Sequence, residues 1–192
     1  MALAQLQAAL ARLFTDASLV EAFCREPGTT ARRLGLTAKD AEIFAALDAA
    51  AVRNFASALT RKRVLDARKT LPLTYRALGP EFDSLLAAEI AEPSQPERRG
   101  ADAALLADRL AARAAQGTVA PAWIGDLARY EAALLAFERP GRGVTIRIFR
   151  FPLKVLLGAL LSGERPGRIA PRRSFGLWLR LSKNSELIHV LW

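Results

Sequence analysis

The sequence predicts an α+β fold, in which a helical N-terminal domain (residues 1–140) precedes a small C-terminal module (residues 141–192). The first part repeats its apolar residues at intervals of three and four, as amphipathic helices do. The last part alternates them at intervals of two, as strands do. The 192 residues are 52% hydrophobic and 24% charged, which is typical of a packed globular protein. A chain of this size buries roughly 70% of its unfolded surface.

The first 70 residues are predicted to form successive helices. One face of the first helix carries Leu3, Leu6, Leu10, Leu13 and Phe14. Asp16 is a predicted N-cap for the second helix, because its side chain can accept a hydrogen bond from a free backbone N–H. Thr37 and Asp40 resemble a capping box with aspartate in place of the usual glutamate. A long helix is predicted from about Ala49 to Thr70.

Proline residues separate the predicted elements in the middle of the chain. Pro72 and Pro80 bracket a short element, and the polar segment 92–100 is predicted to be a flexible loop. One helix follows around Leu105, Leu106 and Leu110. Another is predicted to begin at Pro121, since the first position of a helix tolerates proline.

The C-terminal module is predicted to be β-α-β-β. After a loop at 139–143, Val144, Ile146 and Ile148 alternate with Thr145, Arg147 and Phe149. Pro152 then opens a helix that ends near Leu161. A second alternating segment covers 175–181, and a turn at 183–185 leads to a last strand over 186–192.

The composition argues against catalysis by this chain. One histidine and one cysteine exclude closed zinc sites, which need about three or four such ligands, and leave only an all-carboxylate site open. Asp126 and Glu131 are interpreted as capping or ion-pairing residues, and His189 as a structural residue. We therefore expect no metal, no cofactor and no enzyme activity. No apolar run reaches the ~20 residues of a membrane span, and a chain with a single cysteine is compatible with the cytoplasm.

Binding is the more promising function, because the charge is unevenly distributed. Residues 1–140 hold 18 basic and 17 acidic residues, whereas 141–192 hold 10 basic and 2 acidic ones, so +8 of the net +9 lies in the last quarter. Such a field attracts acidic peptides, nucleic acid or anionic membranes. The predicted peptide- or anion-binding set is Arg147, Phe149, Arg172, Arg173, Trp178 and Arg180.

Two alternatives stay open for these residues. Phe149 and Trp178 can instead belong to a second small core. Nucleic acid is an alternative ligand, with Arg61, Lys62 and Arg63 as the candidate contacts, although a solvated helix face is the commoner use of such a run.

Residues 121–133, PAWIGDLARYEAA, resemble the Asp-Leu-Ala-x-x-Glu helix of a bacterial protein family historically labelled DNA-binding. Members are encoded beside, or fused to, multinuclear non-haem iron oxidative enzymes that modify ribosomally made peptides. Leu6 through Asp16, the Leu34-Gly35-Leu36-Thr37 run, Phe151-Pro152 and Leu177-Trp178-Leu179-Arg180 are also similar to segments of that family.

The resemblance implies a non-catalytic partner protein that binds the iron enzyme and helps recruit the leader of its precursor peptide. We expect the helical part to dock on the enzyme and the sheet to engage an acidic or extended leader. The chain has Glu131-Ala132 where the family often has Glu-Trp. The alternative function is a nucleic-acid-binding regulator that uses the basic C-terminal module.

Overall fold

The computed structural model describes residues 2–90, 100–137, 143–182 and 185–192. Over these ranges the chain is mostly helical, with a small three-stranded antiparallel sheet, so the α+β class is confirmed. The predicted loops at 92–100 and 139–143 and the predicted turn at 183–185 lie almost wholly outside the described residues.

The elements in chain order are α1 (Ala2–Thr15), α2 (Ala17–Arg25), α3 (Pro27–Arg33), α4 (Ala38–Ala45), α5 (Ala49–Thr70), α6 (Pro72–Leu78), α7 (Pro80–Ile90), α8 (Ala101–Ala115), α9 (Ile124–Ala136), β1 (Gly143–Phe149), α10 (Leu153–Leu161), β2 (Ser174–Arg180) and β3 (Ile188–Leu191). None of the described helices is long and apolar enough to cross a membrane.

The chain divides into two compact units. The first consists of Met1–Leu65 with Leu86–Pro96, and the second of Asp66–Leu85 with Glu97–Trp192. The sequence-based division at residue 140 marks a different feature, the change from helix to strand between α9 and β1.

The first unit has its own core. Phe23 and Phe44 are fully buried and meet edge to face, with ring centroids 5.3 Å apart. Around them pack Ala9, Leu13, Leu19, Val20, Ala31 and Val52. These residues come from α1 to α5 and lie on the apolar faces that the three- and four-residue spacing predicts.

Both predicted caps in this unit are confirmed. The Asp16 carboxylate accepts the Leu19 N–H at 3.1 Å. The Asp40 N–H donates to Thr37 Oγ1 at 3.3 Å, and the Thr37 hydroxyl donates to the Asp40 carboxylate at 2.8 Å. Each cap satisfies a backbone donor that the helix itself leaves without a partner.

In the second unit, helix α9 holds neighbouring segments through two carboxylates. Glu131 accepts hydrogen bonds from the backbone N–H groups of Leu73 and Thr74, at 2.8 and 2.9 Å, and from the Thr74 hydroxyl. It thereby caps α6, whose own N-cap, Leu71, has no side-chain acceptor. Asp126 accepts the N–H groups of Arg150 and Phe151, between β1 and α10. The capping interpretation is confirmed for Glu131, whereas Asp126 holds the connection between β1 and α10 without capping that helix.

The three strands form one sheet in the order β1-β2-β3, antiparallel throughout. β1 and β2 pair from Gly143 with Arg180 to Phe149 with Ser174. β2 and β3 pair from Gly176 with Leu191 to Leu179 with Ile188. Because side chains alternate along a strand, this register fixes which residues share a face.

Candidate functional site

The inner face of the sheet is part of the core of the second unit. Trp178 and Phe149 are 0% and 1% exposed, and their rings meet at 6.3 Å between centroids. Tyr130 of α9 lies 5.9 Å from Trp178, and His189 stacks on the same indole at 5.1 Å. Gly176 makes room for this cluster, since a Cβ there would lie 2.5 Å from the Trp178 ring.

The prediction that Phe149 and Trp178 share an exposed face with arginine side chains is therefore wrong. The second small core, the alternative interpretation of these two residues, is the one that the structure shows. The prediction of the exposed face from strand alternation failed because both faces of β1 and β2 carry apolar residues. Burial follows the face that receives Tyr130, and alternation alone does not indicate which face that is.

The outer face of the sheet is apolar and open. Every second row of the sheet points its apolar residues to this face. These rows are Val144-Leu179-Ile188, Ile146-Leu177-Val190 and Ile148-Phe175-Trp192, where Trp192 directly follows β3. We call these nine residues the outer apolar face. Ile146 is 64% exposed and Trp192 60% exposed, and the Phe175 and Trp192 rings stack at 6.4 Å.

Exposure on this scale is unusual for a sheet. Antiparallel sheets commonly place polar residues on their solvent face, whereas a contiguous exposed apolar patch marks a surface that binds protein, membrane or ligand. The distribution of charge in the sequence did not indicate this surface. The apolar residues of β1 and β2 did, because they occupy both odd and even positions and so must cover both faces of the sheet.

The β1 edge of the sheet is also open among the described residues. Phe175 and Trp192 exchange both backbone hydrogen bonds, at 2.7 and 3.1 Å. By the alternation of an antiparallel ladder, the backbone groups of Val144, Ile146 and Ile148 then point away from β2. The same three residues have their side chains on the outer apolar face, so an added strand would extend that face.

The four predicted arginine residues lie in β1, in β2 and in the coil that precedes β2. Arg147 is exposed on β1, and Arg180 is half-buried at the end of β2. Arg172 and Arg173 are exposed in the coil before β2.

The alternative basic run lies on α5. Arg61 and Lys62 are exposed, whereas Arg63 is half-buried and donates to the Ile90 carbonyl at 3.2 Å. Further along α5, Arg68 forms a bidentate ion pair with Asp83 and lies over the Tyr75 ring at 4.6 Å. Arg63 and Arg68 thus have structural partners, which leaves Arg61 and Lys62 as the more available cations of this run.

The pKa values of three titratable groups near the sheet are shifted by burial. Burial raises the pKa values of Asp126 and Glu131, against the opposing effect of their backbone hydrogen bonds. Burial lowers the pKa of His189, whose Nε2 has no hydrogen-bond partner among the described residues. Within the described ranges, no three His, Cys, Asp or Glu side chains are grouped so as to hold a metal ion.

No protein-family model and no curated protein matches this sequence.

Proposed function

We propose that this protein is a non-catalytic accessory protein that binds a multinuclear non-haem iron oxidative enzyme in the cytoplasm. In this role it helps to recruit the enzyme's precursor peptide, whose leader it engages. The outer apolar face is the single observation that carries the proposal, because a nine-residue apolar surface is costly to leave in water unless a partner covers it.

The outer apolar face has the properties of an interface centre. Interfaces are apolar at the core and polar at the rim, and a standard one uses about 20–30 residues from each side. The nine residues are too few to be a whole interface but suit its centre. This feature favours the sheet over the helical part as the main contact with the enzyme.

The leader peptide is proposed to add a strand at the β1 edge. Val144, Ile146 and Ile148 offer outward N–H and C=O groups there, and main-chain hydrogen bonds give such complexes their affinity. Arg147, which is exposed on the same strand, supplies positive charge for an acidic leader. The peptide and the enzyme would then share one continuous surface.

The test is co-expression of the tagged chain with the iron enzyme encoded nearest to its gene, followed by size-exclusion chromatography. We expect the two proteins to co-elute, and Ile146→Glu to weaken the complex by about 2 kcal/mol or more, because a carboxylate would be buried against apolar surface. Leu3→Glu is the matched control, since Leu3 is 69% exposed on α1. It is expected to leave co-elution intact.

Several outcomes would contradict the proposal. One is failure of the chain to bind either the enzyme or its precursor peptide. Another is a complex that is indifferent to Ile146→Glu. Self-association of the isolated chain that Ile146→Glu abolishes would instead assign the outer apolar face to a second copy. Nucleic acid that stays bound to the purified protein would favour the alternative function, a nucleic-acid-binding regulator.

A further inference from the structure

A cleft of about 910 Å³ opens in the second unit, and the proposed function makes no use of it. Its exposed lining residues include the arginines at positions 76, 150, 165 and 168, and its buried ones include Trp123 and Phe151. A cavity of this volume lies within the ~300–1,000 Å³ of small-molecule and short-peptide sites.

The cleft walls are held together by hydrogen bonds. Arg76 Nη1 donates to the Leu160 carbonyl at 2.8 Å, which joins α6 to the end of α10. The Trp123 indole N–H donates to the Gly167 carbonyl at 3.4 Å, which ties down the coil after α10. Asp126 holds the backbone at Arg150 and Phe151. A pre-formed site of this kind loses less entropy when a ligand binds.

The charge of the cleft is strongly positive. Four arginine residues and one acid, Glu164, line it, so the formal charge of the lining is +3. Among the described residues, none of these four guanidinium groups lies within 4.0 Å of a carboxylate. Arg165 and Arg168 are the most available to a ligand, because Arg76 already donates to the Leu160 carbonyl and the charge of Arg150 acts on the Asp126 carboxylate.

We propose that this cleft binds a peptide segment that carries glutamate or aspartate side chains. Guanidinium groups pair with carboxylates through two parallel hydrogen bonds. The accessible apolar lining, with Ile169 and the prolines at positions 121, 166 and 171, suits the aliphatic parts of a peptide. This site goes beyond the proposed docking at the sheet, because none of its lining residues belongs to the outer apolar face.

Nucleic acid fits the cleft less well than an acidic peptide. Proteins that bind single strands stack bases on the faces of exposed aromatic rings. Trp123 and Phe151 are each 3% exposed, so neither ring offers a free face. The cleft therefore lacks the stacking surface that a nucleic-acid ligand would use.

The experiment measures fluorescence anisotropy of a labelled peptide of about six residues, alternating glutamate with leucine, on the isolated full-length chain. The same peptide with glutamine is the uncharged probe. Arg165→Glu/Arg168→Glu is expected to weaken glutamate-peptide binding by about tenfold or more, since two charge-assisted pairs are replaced by repulsion. The glutamine peptide is expected to bind at least about tenfold more weakly than the glutamate peptide.

The matched control is Lys39→Glu/Lys154→Glu. Both lysines are exposed in the first turns of α4 and α10 and lie outside the cleft. The control changes the net charge by the same amount, and glutamate is favourable at a helix start. We expect less than about a twofold effect on binding, because neither lysine lines the cleft and salt screens exposed charges.

A second readout locates the peptide directly. The chain has three tryptophans, so its NMR spectrum contains three indole N–H signals, which single Trp→Phe variants assign. The Trp123 signal is expected to shift on titration, and the Trp192 signal of the outer apolar face is expected to stay. Equal loss of affinity in both double variants, a shift confined to Trp192, or tighter binding of a single-stranded DNA of equal charge would each overturn the proposal.

Discussion

Two carboxylates on α9 illustrate how single residues organise the second unit. Asp126 and Glu131 are only five positions apart, yet each fixes a different neighbour, the start of α6 for Glu131 and the backbone before α10 for Asp126. Their hydrogen bonds give both carboxylates a structural role that requires no catalysis. Without them, these backbone N–H donors would be left unsatisfied.

At the scale of a single residue, His189 is expected to make the free energy of unfolding depend on pH. Burial lowers the folded-state pKa below the ordinary 6.5. The unfolded chain therefore binds more protons than the folded chain as the pH falls below 6.5, and the free energy of unfolding decreases with falling pH. The slope should not exceed ~1.4 kcal/mol per pH unit, the limit for one proton. Urea denaturation between pH 5 and 8 measures it.

The matched variant for that measurement is His189→Gln, which keeps a polar side chain but cannot titrate. Asp126 and Glu131 have raised pKa values, so they give a slope of the opposite sign, in which stability falls as the pH rises above their ordinary range. Subtracting the variant from the parent isolates the imidazole. An identical pH profile for both proteins would contradict a lowered pKa for the half-buried His189.

At the scale of elements, the contact of α8 with α9 depends on a glycine. A Cβ at Gly125 would lie 2.5 Å from the Ala111 Cα, which belongs to backbone that cannot move aside easily. Gly125→Ala is therefore expected to destabilise the protein by about 2 kcal/mol through overpacking. The free energy of unfolding in urea provides the measurement.

Gly158 provides the control for this substitution. It lies inside α10, and no heavy atom lies within 4 Å of a Cβ built there. Gly158→Ala should stabilise the protein by about 0.5 kcal/mol, because alanine has the higher helix propensity. Equal effects of the two variants would show that the close helix contact is not what constrains position 125.

The elements also show how far the sequence could predict this molecule. The helices, the two caps and the α+β class follow from local patterns, such as Asp16 before α2. The division into units does not, because it falls within α5 and α7, where no turn residue interrupts the helix. The outward face of the sheet depended on Tyr130 packing against Trp178, a tertiary contact that no local pattern encodes.

At the scale of the whole molecule, charge and apolar surface point to different ligands. The net charge of +9 attracts any polyanion, whereas the outer apolar face suits only a complementary apolar surface. Salt separates the two, because it screens charge and leaves hydrophobic contacts intact or stronger. The dependence of each complex on ionic strength therefore reports which surface forms it.

We expect the complex with the iron enzyme to change its Kd by less than about threefold between 50 and 500 mM NaCl, since apolar contacts at the outer face dominate it. Duplex DNA held by the two more available cations of the α5 run, Arg61 and Lys62, would neutralise about two phosphates. At a slope of about −0.9 per phosphate, its affinity would fall roughly 60-fold over the same range. Surface plasmon resonance at five salt concentrations measures both, with Arg61→Glu/Lys62→Glu as the variant that should affect DNA alone. An enzyme complex that weakens as steeply as the DNA complex would transfer the docking role from the outer apolar face to the basic surface.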